Sequence, residues 1–244
     1  MPSCLKKFKN SIAVLVFSRS AKAEALVLKK SINQDRVNVD KLANLLVKRV
    51  KKITGKCAYP VYFSNELNQV GETFGHKYYN AIAEIFSKGY EGVITIGGDC
   101  PALNHHDINL AADLLECQDM VLGPATDGGI YLLGLRKERF LKGVLNNLPW
   151  QSENLFHEIN KRGAKHDVLL EIKADIDNQS AFNDILGDTE IPLHLKILLF
   201  KCWLRVLFIE YTTNYKSQIR ILWKCNELRG PPTNFGTSKM SVTN

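Results

Sequence analysis

Two aspartates, Asp99 and Asp127, stand in glycine-rich loops that each follow a short apolar stretch of the chain. Asp99 comes just after the uncharged run 93–96, from which it is separated by the adjacent glycines Gly97 and Gly98. An uncharged run of this length is typical of a strand that is buried on both faces of a parallel sheet. Because open α/β sheets bind ligands outside the carboxyl ends of their strands, both carboxylates are expected at one ligand-binding edge.

Paired carboxylates on neighbouring loops suit a hard divalent cation. Mg²⁺ takes oxygen ligands and is usually held by one or two carboxylates together with the phosphates of a substrate. We therefore predict a site for Mg²⁺ or Mn²⁺ with Asp99 as a ligand, and catalytic roles for Asp99 and Asp127. The glycines of the two loops would let the backbone approach a bound cofactor or substrate closely, at Gly97, Gly98, Gly128 and Gly129. The alternative is that Asp99 only caps a turn and that Asp127-Gly128 is an ordinary turn dipeptide.

A second acidic pair, Asp175 and Asp177, follows late in the chain. In an extended segment, residues i and i+2 point to the same side, so both carboxylates could reach the cation near Asp99. We include both as predicted metal ligands. The alternative is a surface turn in which Asp177 or Asn178 caps the helix that follows.

Two further loops carry predicted ligand-binding residues. The first follows the first apolar run of the chain and contains Arg19 and Lys22, which we predict to contact phosphate. The second precedes a predicted helix and carries Gln69, Gly71 and Lys77. Because helix N-termini attract anions, this second loop suits a phosphate or the edge of a base. For the first loop, the alternative is that its lysines lie on a solvated helix face. For the second, the alternative is a plain connecting loop.

The strands and helices between these loops must position them. Apolar runs predict strands at 12–17, 59–63, 93–96, 120–122, 130–135 and 167–170. Apolar residues at helical spacing predict covering helices, of which 39–53 is the clearest, and a short helix is predicted at 137–145. The alternation of strands and helices predicts a three-layer, Rossmann-like α/β fold with a mainly parallel sheet.

Capping residues predict where two of the helices begin. Asn104 is expected to cap the helix that follows Asp99, with Asp107 completing a capping box. Ser152 is expected to cap a later helix. The face of the first of these helices that packs on the sheet is predicted at Leu110, Leu114 and Leu115.

The composition is that of a globular protein with one main domain. The chain has 244 residues, of which 45% are hydrophobic and 23% charged, and we predict the domain at 8–190. The apolar run 193–209 is interrupted by lysine and arginine and is short for a membrane span, so no span is predicted. We predict instead a helical extension at 191–232, which packs on the domain or forms a homodimer, and a disordered tail at 233–244.

Charge and cysteine content narrow the class of protein further. The net charge of +7 favours anionic ligands such as nucleotides, but the basic residues form no single stripe, so no nucleic acid is expected. The six cysteines have no zinc-binding spacing and are too few for a disulfide scaffold. The first apolar run, 12–17, is too short for the core of a signal peptide. We therefore expect a cytoplasmic protein.

The two acidic loops resemble the signature of an uncharacterised bacterial transferase family, domain of unknown function 2064. The matching positions are Gly97-x-Asp99-Cys100-Pro101-x-Leu103 and Leu122-Gly123-Pro124-x-x-Asp127-Gly128-Gly129-x-Tyr131-Leu132-x-Gly134. The family is described as glycosyltransferase-A-like and is related to nucleotidyltransferases of the molybdenum-cofactor and coenzyme F420 pathways. The resemblance implies a nucleotide-diphospho-sugar transferase (GT-A-like) fold. It also implies that Asp99 matches the metal-binding aspartate of that superfamily, and that Asp175 and Asp177 are similar to a late acidic pair at the metal site.

One loop departs from the family's pattern. Relatives carry a proline and a glycine after the first strand and then a Lys-Thr-Arg triplet that grips phosphate. The comparable positions in this chain are Ala21, Glu24 and Val27-Leu28-Lys29. The cations that remain as phosphate contacts are Arg19, Lys22, Lys29 and Lys30.

From the residues and the resemblance together, we expect a metal-dependent glycosyltransferase or nucleotidyltransferase. Its donor would be a nucleotide sugar or a nucleoside triphosphate, and its acceptor a small molecule bound near Asp127. Asp127 would orient the acceptor hydroxyl or take its proton. The alternative is a catalytically impaired member of the same fold that binds a nucleotide or a protein partner, an interpretation that the departing first loop favours.

Overall fold

The protein is organised around a mixed β-sheet with helices on both faces. The computed structural model describes residues 11–32, 36–163, 168–174, 185, 189 and 191–199, all of which lie in one compact unit of the chain, Met1–Trp203. The strands are β1 (Ile12–Phe17), β2 (Val61–Ser64), β3 (Gly92–Ile96), β4 (Met120–Pro124), β5 (Ile130–Arg136) and β6 (Val168–Leu169). The helices are α1 (Ala21–Ile32), α2 (Arg36–Thr54), α3 (Phe74–Ser87), α4 (His105–Leu115), α5 (Lys137–Leu141) and α6 (Leu155–Lys161). A further helical stretch covers 193–199.

Within the described residues, six strands pair in the order β2-β1-β3-β5-β4-β6. β1 pairs in parallel with both β2 and β3, and β4 pairs in parallel with β6. β5 runs antiparallel to both of its neighbours, β3 and β4. The predicted mainly parallel sheet is therefore confirmed, with β5 as the strand that runs in the opposite direction.

The direction of β5 determines where the two acidic loops lie. β4 and β5 form a hairpin, so the loop with Asp127 joins the carboxyl end of β4 to the amino end of β5. β5 also lies beside β3, and Ile96 at the end of β3 pairs with Leu132 near the start of β5. The loop that carries Asp99 therefore leaves the sheet next to the loop that carries Asp127.

Alternate residues of the strands face two separate hydrophobic cores. In β1, Ile12, Val14 and Val16 pack in a core with α1, α2 and α4, whereas Ala13 and Leu15 pack in a core with α3, α5 and α6. This period of two is the geometry of a strand, and β1 is apolar throughout because it is covered on both faces. The predicted three-layer arrangement is confirmed, with the sheet as the middle layer.

The loop after Asp99 ends in the predicted capping box of α4. The Asn104 N–H donates to Asp107 Oδ2 at 2.9 Å, and the Asp107 N–H donates to Asn104 Oδ1 at 3.1 Å. The predicted buried face of this helix is wrong at Leu110, which is 50% exposed. Residues at i, i+3, i+4 and i+7 share one helical face. In α4 that face consists of Ile108, Ala111, Ala112 and Leu115.

Other boundaries differ from the predicted ones by a few residues. β2 begins at Val61, two residues later than predicted, and α5 ends at Leu141, four residues earlier. α6 begins after Asn154, so the prediction of Ser152 as its cap is wrong. The Ser152 hydroxyl instead donates to the Pro149 carbonyl at 2.8 Å and so stabilises the turn that precedes the helix.

The predicted C-terminal extension lies mostly outside the described residues. Its helical stretch 193–199 buries Leu195 and Leu199 in the core that contains α1, α2 and α4. The remainder, 200–232, and the predicted tail at 233–244 fall outside the described part of the chain. Among the helices that the structure describes, none combines the length and the apolar character that a membrane crossing requires.

Candidate functional site

A cleft of about 810 Å³ opens at the edge of the sheet where β1 and β3 end. Its walls are formed by the first turns of α1 and α3, the loops after β2, β3 and β4, and the segment just before α6. The predicted site residues that line it are Arg19, Gln69, Lys77, Gly97, Gly98, Asp99, Asp127 and Gly129. Residues from four separate loops are thus brought together around one cavity.

Asp127 holds its own turn together as well as lining the cleft. Its Oδ1 accepts a hydrogen bond from the Gly129 N–H at 2.8 Å, which is an Asx turn. The Ala125 N–H donates to the Gly129 carbonyl at 3.0 Å and closes the hairpin behind it. Asp127 therefore stabilises its own turn, as the alternative interpretation predicts, and it also lines the cavity.

The surroundings of Asp99 in the cleft disfavour its ionised form. Burial raises the pKa of Asp99 above its ordinary value, and the negative charge of Asp127 raises it further. The backbone N–H of Asp99 and the Arg19 guanidinium partly offset this rise in pKa. Since two neighbouring carboxylates disfavour each other's ionised form, a bound cation would stabilise both.

Glu24 adds a third carboxylate that sequence reasoning did not assign to the site. It lies in the first turn of α1 with its side chain 12% exposed, and its Oε2 is 3.2 Å from Arg19 Nη1. Burial raises the pKa of Glu24, the Asp99 charge adds to the rise, and the ion pair with Arg19 opposes it. The signal in the sequence was a carboxylate placed shortly after Arg19 and Lys22, in the stretch that follows the first strand.

The cleft lining does not include five of the predicted ligand-binding residues, which are Lys22, Lys29, Lys30, Gly71 and Gly128. Lys29 is paired instead with Asp40, at 2.8 Å. Lys22 is exposed in the first turn of α1. Gly71 is also exposed and has a φ of 139°, and a Cβ there would lie 2.8 Å from the Lys77 backbone N. Gly128 has a φ of 86°, and a Cβ there would lie 1.9 Å from the Glu153 carbonyl oxygen. Both glycines therefore serve turn geometry and close packing.

The predicted late acidic pair, Asp175 and Asp177, lies outside the described residues. The strand that leads to it is described, and its continuation forms a parallel bridge between Ala125 and Lys173. This continuation runs alongside the loop that carries Asp127. Both aspartates stay predictions as metal ligands.

Residues 150–153, called the Trp150 segment below, form part of the wall of the cleft. The Trp150 ring lies on Phe74 and Tyr78, with ring centroids 5.6 and 4.9 Å away. It also lies against Gly75, where a Cβ would be 2.5 Å from the indole. Trp150 therefore packs on α3 with part of its ring and also lines the cavity.

The other end of the Trp150 segment is attached to the Asp127 loop. The Phe156 N–H donates to the Gly128 carbonyl at 2.9 Å, and Gly128 lies directly against the Glu153 backbone. Between these attachments Gln151 has a φ of 61°, a conformation that is unusual for a residue with a side chain. Strained residues of this kind cluster at ligand-binding sites, and Gln151 lines the cleft.

Two polar residues of the cleft lining, Gln69 and Lys77, lie just before α3 and in its first turn. Thr73 caps this helix by accepting a hydrogen bond from the His76 N–H at 3.2 Å, and Lys77 lies in the first turn of the helix. Gln69 donates from Nε2 to the Ser64 carbonyl at 3.3 Å, which orients its side chain at the end of β2. These placements agree with the predicted ligand-binding roles of Gln69 and Lys77 without testing them.

The cleft carries more negative than positive charge. Over its described lining, five carboxylates accompany two cations. The carboxylates belong to Glu24, Glu66, Asp99, Asp127 and Glu153, and the cations to Arg19 and Lys77. Because Arg19 is already paired with Glu24, an anionic ligand such as a nucleotide needs additional positive charge to bind here.

The donor set fits a divalent cation that is completed by its substrate. Among the described residues, no three side chains of the His, Cys, Asp and Glu types lie close enough together to hold a metal ion. Mg²⁺ usually takes only one or two protein carboxylates and completes its shell with water and phosphate oxygens. Asp99 and Asp127, as oxygen donors at one cavity, suit a cation of this type better than one that needs a closed protein cage.

Residues 63–152 match the sequence profile of a family described as "Uncharacterized protein conserved in bacteria (DUF2064)". The matched range contains both Asp99 and Asp127, so the resemblance inferred from the two acidic loops is confirmed. No curated protein matches the chain.

The structure is similar to the crystal structure of a candidate nucleotide-diphospho-sugar transferase from Desulfovibrio desulfuricans G20, with a TM-score of 0.68 and 18% sequence identity. This match covers 79% of the present chain and 95% of that protein. It confirms the predicted nucleotide-diphospho-sugar transferase fold of the glycosyltransferase-A-like type.

Two more distant structures share a TM-score of 0.40 and an identity of 13% with this chain. One is Rv0371c from Mycobacterium tuberculosis H37Rv in complex with manganese, for which the match covers 73% of this chain and all of that one, 100%. The other is a cytidylyltransferase from Leptospira borgpetersenii, for which the match covers 85% of this chain and 95% of that one.

Proposed function

We propose that the protein is a metal-dependent transferase that moves a glycosyl or nucleotidyl group from a nucleotide donor to a small-molecule acceptor. The observation that carries this proposal is the meeting of Asp99 and Asp127 in one cleft, which follows from the pairing of β3 with β5. The nucleotide-diphospho-sugar transferase fold supports the choice of donor class. A shared fold does not by itself define an activity, so the argument depends on the cleft.

The side chains of the cleft divide into a donor group and an acceptor group. Asp99 would hold Mg²⁺ or Mn²⁺, with Asp175 or Asp177 as further ligands. When bound, the metal would neutralise the negative charge that develops on the leaving phosphate. Arg19 and Lys77 would contact phosphate oxygens, and Gln69 would contact the base or the sugar.

On the acceptor side, Asp127 would orient the acceptor hydroxyl or accept its proton. One of its oxygens is engaged by the Gly129 N–H, so its carboxylate is held in a fixed orientation. The Trp150 segment would form the far wall of the acceptor site. A fixed carboxylate beside a fixed wall contributes to rate chiefly by positioning, because little reorganisation is needed in the transition state.

Calorimetric titration tests the donor half of this proposal. Nucleoside triphosphates and nucleotide sugars would be titrated into the protein with Mg²⁺, with Mn²⁺ or with EDTA. We expect at least one nucleotide to bind with metal and to lose its affinity in EDTA. The matched variants are Asp99→Asn, which should abolish this metal dependence, and Asp113→Asn on the exposed side of α4, which should not change it.

Product analysis by mass spectrometry tests the transfer itself. The nucleotide identified by titration would be incubated with a panel of sugars, sugar phosphates and polyols, and the products would show which part of the donor is transferred. A glycosylated acceptor indicates glycosyl transfer, and release of diphosphate with a nucleotide-linked acceptor indicates nucleotidyl transfer. If no nucleotide binds with either metal, the proposal is wrong.

A second candidate function is nucleotide binding without turnover. It is favoured by the pairing of Arg19 with Glu24, which occupies a cation that the predicted function assigns to phosphate. Metal-dependent binding of a nucleotide, with no product from any acceptor and no slow hydrolysis of the donor, would support this second candidate over the first.

A further inference from the structure

Lys173 is a charged residue in the interior of the protein. Its relative exposure is 6%, although lysine is among the residues that are rarely buried. It follows β6 in the chain, on the stretch that continues alongside the end of β4. A buried ammonium group is strongly unfavourable unless it is paired and hydrogen-bonded, so its contacts explain why it is tolerated.

The side chain of Lys173 is bound to the segment that follows Asp99. Its Nζ lies 3.0 Å from Asp107 Oδ2 and donates to the Ala102 carbonyl at 3.3 Å. Asp107 also accepts the hydrogen bond from the Asn104 N–H that starts α4. One ammonium group therefore connects the turn just after Asp99 with the first turn of the helix beyond it.

The backbone of Lys173 is bound to the loop that carries Asp127. Its N–H donates to the Pro124 carbonyl at 3.1 Å, and its carbonyl accepts from the Thr126 N–H at 3.0 Å. These two hydrogen bonds lie on either side of Ala125, which forms a parallel bridge with Lys173. Asp127 is the next residue after Thr126, so the position of its loop depends directly on this pairing.

We infer that Lys173 is a positioning residue that holds the Asp99 loop and the Asp127 loop at a fixed separation. A methionine of similar length could fill the same volume without a desolvation penalty, but it has no hydrogen-bond donor for Ala102 O or Asp107. The inference deepens the proposed function and rests on it, because the fixed separation matters for a metal and a donor bound between the two carboxylates. Residues that orient metal ligands typically change metal affinity on the order of 10–100-fold when they are replaced.

Two variants separate positioning from simple charge balance. Lys173→Met removes the ammonium and leaves the half-buried Asp107 carboxylate without its cationic partner, so we expect a lower melting temperature. The double variant Lys173→Met with Asp107→Asn removes both charges, and the asparagine carbonyl can still accept from the Asn104 N–H. We expect the double variant to recover most of the melting temperature. The control is Lys161→Met, which breaks only the exposed pair with Glu158.

Hydrogen–deuterium exchange gives a readout that does not depend on activity. We expect faster exchange in peptides 97–104 and 124–129 of both Lys173 variants, with unchanged exchange in β1 and α2. In the double variant, metal-dependent nucleotide affinity should stay roughly tenfold or more below wild type although stability has recovered. Lys161→Met should match wild type in every measurement.

Two outcomes would overturn the inference. The first is wild-type exchange in both loops of the double variant, and the second is full recovery of metal-dependent affinity with charge balance alone. Failure of the proposed function gives a different result: wild-type protein would show no metal-dependent nucleotide binding, while the exchange of the two loops would still report on Lys173.

Discussion

Arg19 and Glu24 form an ion pair inside the cleft, with Nη1 and Oε2 3.2 Å apart, although Arg19 is one of two cations in the cavity lining. The pair neutralises the guanidinium in the absence of ligand. Under the proposed function, a donor phosphate must therefore either displace Glu24 from Arg19 or bring a metal cation with it.

Glu24→Gln should increase nucleotide affinity in the absence of metal. The substitution removes one negative charge next to Asp99 and frees the Arg19 guanidinium for phosphate. We expect an increase on the order of tenfold, which corresponds to about 1.4 kcal/mol. Calorimetric titration in EDTA measures it, and Glu84→Gln, an exposed position on α3, is the control. Unchanged or weaker binding would mean that Glu24 does not oppose the donor.

Asp99→Asn should abolish the increase in nucleotide affinity that a divalent cation gives, because the substitution removes the metal site. We expect nucleotide binding in the presence of Mg²⁺ or Mn²⁺ to fall to the level that wild-type protein shows in EDTA. Titration with Mn²⁺, followed by electron paramagnetic resonance of the free ion, measures the metal directly. A variant that binds Mn²⁺ as tightly as wild type would remove Asp99 from the metal site.

The same substitution should change the dependence of stability on pH. Burial raises the pKa of Asp99 above its ordinary value of 3.8, so the folded protein favours the protonated carboxyl. This contribution to stability is fully present below the ordinary pKa and is lost as the pH rises through the raised pKa. We therefore expect metal-free Asp99→Asn to be more stable than wild type near neutral pH and to lose that advantage as the medium is acidified.

Denaturant unfolding in EDTA across this pH range measures the difference. The control is Asp113→Asn, which replaces an exposed carboxylate by the same amide. Its stability should follow the wild-type curve at each pH. A constant difference between Asp99→Asn and wild type over the whole range would show that ionisation of Asp99 is not its cause.

Asp127→Asn should separate binding from catalysis. The asparagine oxygen can still accept the Gly129 N–H, so the turn is preserved while the charge is lost. If Asp127 orients or deprotonates the acceptor, kcat should fall on the order of 10²–10⁴-fold with donor affinity nearly unchanged. Steady-state kinetics and titration of the same preparation measure both. A parallel loss of donor and metal affinity would instead make Asp127 a metal ligand, and wild-type behaviour would leave it only its role in the turn.

Leu195→Ala should destabilise the domain, because the helical stretch 193–199 contributes to its core. Leu195 is 1% exposed, and removing such a side chain typically lowers the free energy of unfolding by about 2–5 kcal/mol. Leu193, two residues earlier, is 71% exposed, so Leu193→Ala should change stability by less than about 0.5 kcal/mol. Chemical denaturation measures both variants. Equal effects would indicate that this stretch does not pack on the domain in solution.

The sheet and the two acidic loops could be predicted from sequence because their determinants are local. β1 and β3 are uncharged runs of five or six residues that end directly in polar loops. Neighbouring glycines then mark where the chain leaves the sheet near Asp99 and Asp127. A parallel sheet collects the ends of its strands at one edge, so a correct assignment of strands was enough to place both carboxylates there.

The missed features depend on contacts between distant segments. Glu24 enters the cleft only because α1 begins immediately after the β1 loop, and Leu110 is exposed because the sheet selects a different face of α4. The ammonium of Lys173 meets Ala102 across 71 residues of sequence. No periodicity or motif indicates such a pair, since a lone lysine after a strand is usually solvated.

The attachment of the Trp150 segment at both ends has a consequence for how relatives of this protein can diversify. Gly75 accommodates the indole at one end and Gly128 accommodates the Glu153 backbone at the other, so each attachment depends on a glycine. Gln151 is exposed between these two points, so its side chain can change without moving either attachment. Under the proposed function, acceptor preference can therefore diverge by substitution at Gln151 while donor binding is preserved, which makes this position the natural target for redesign of substrate choice.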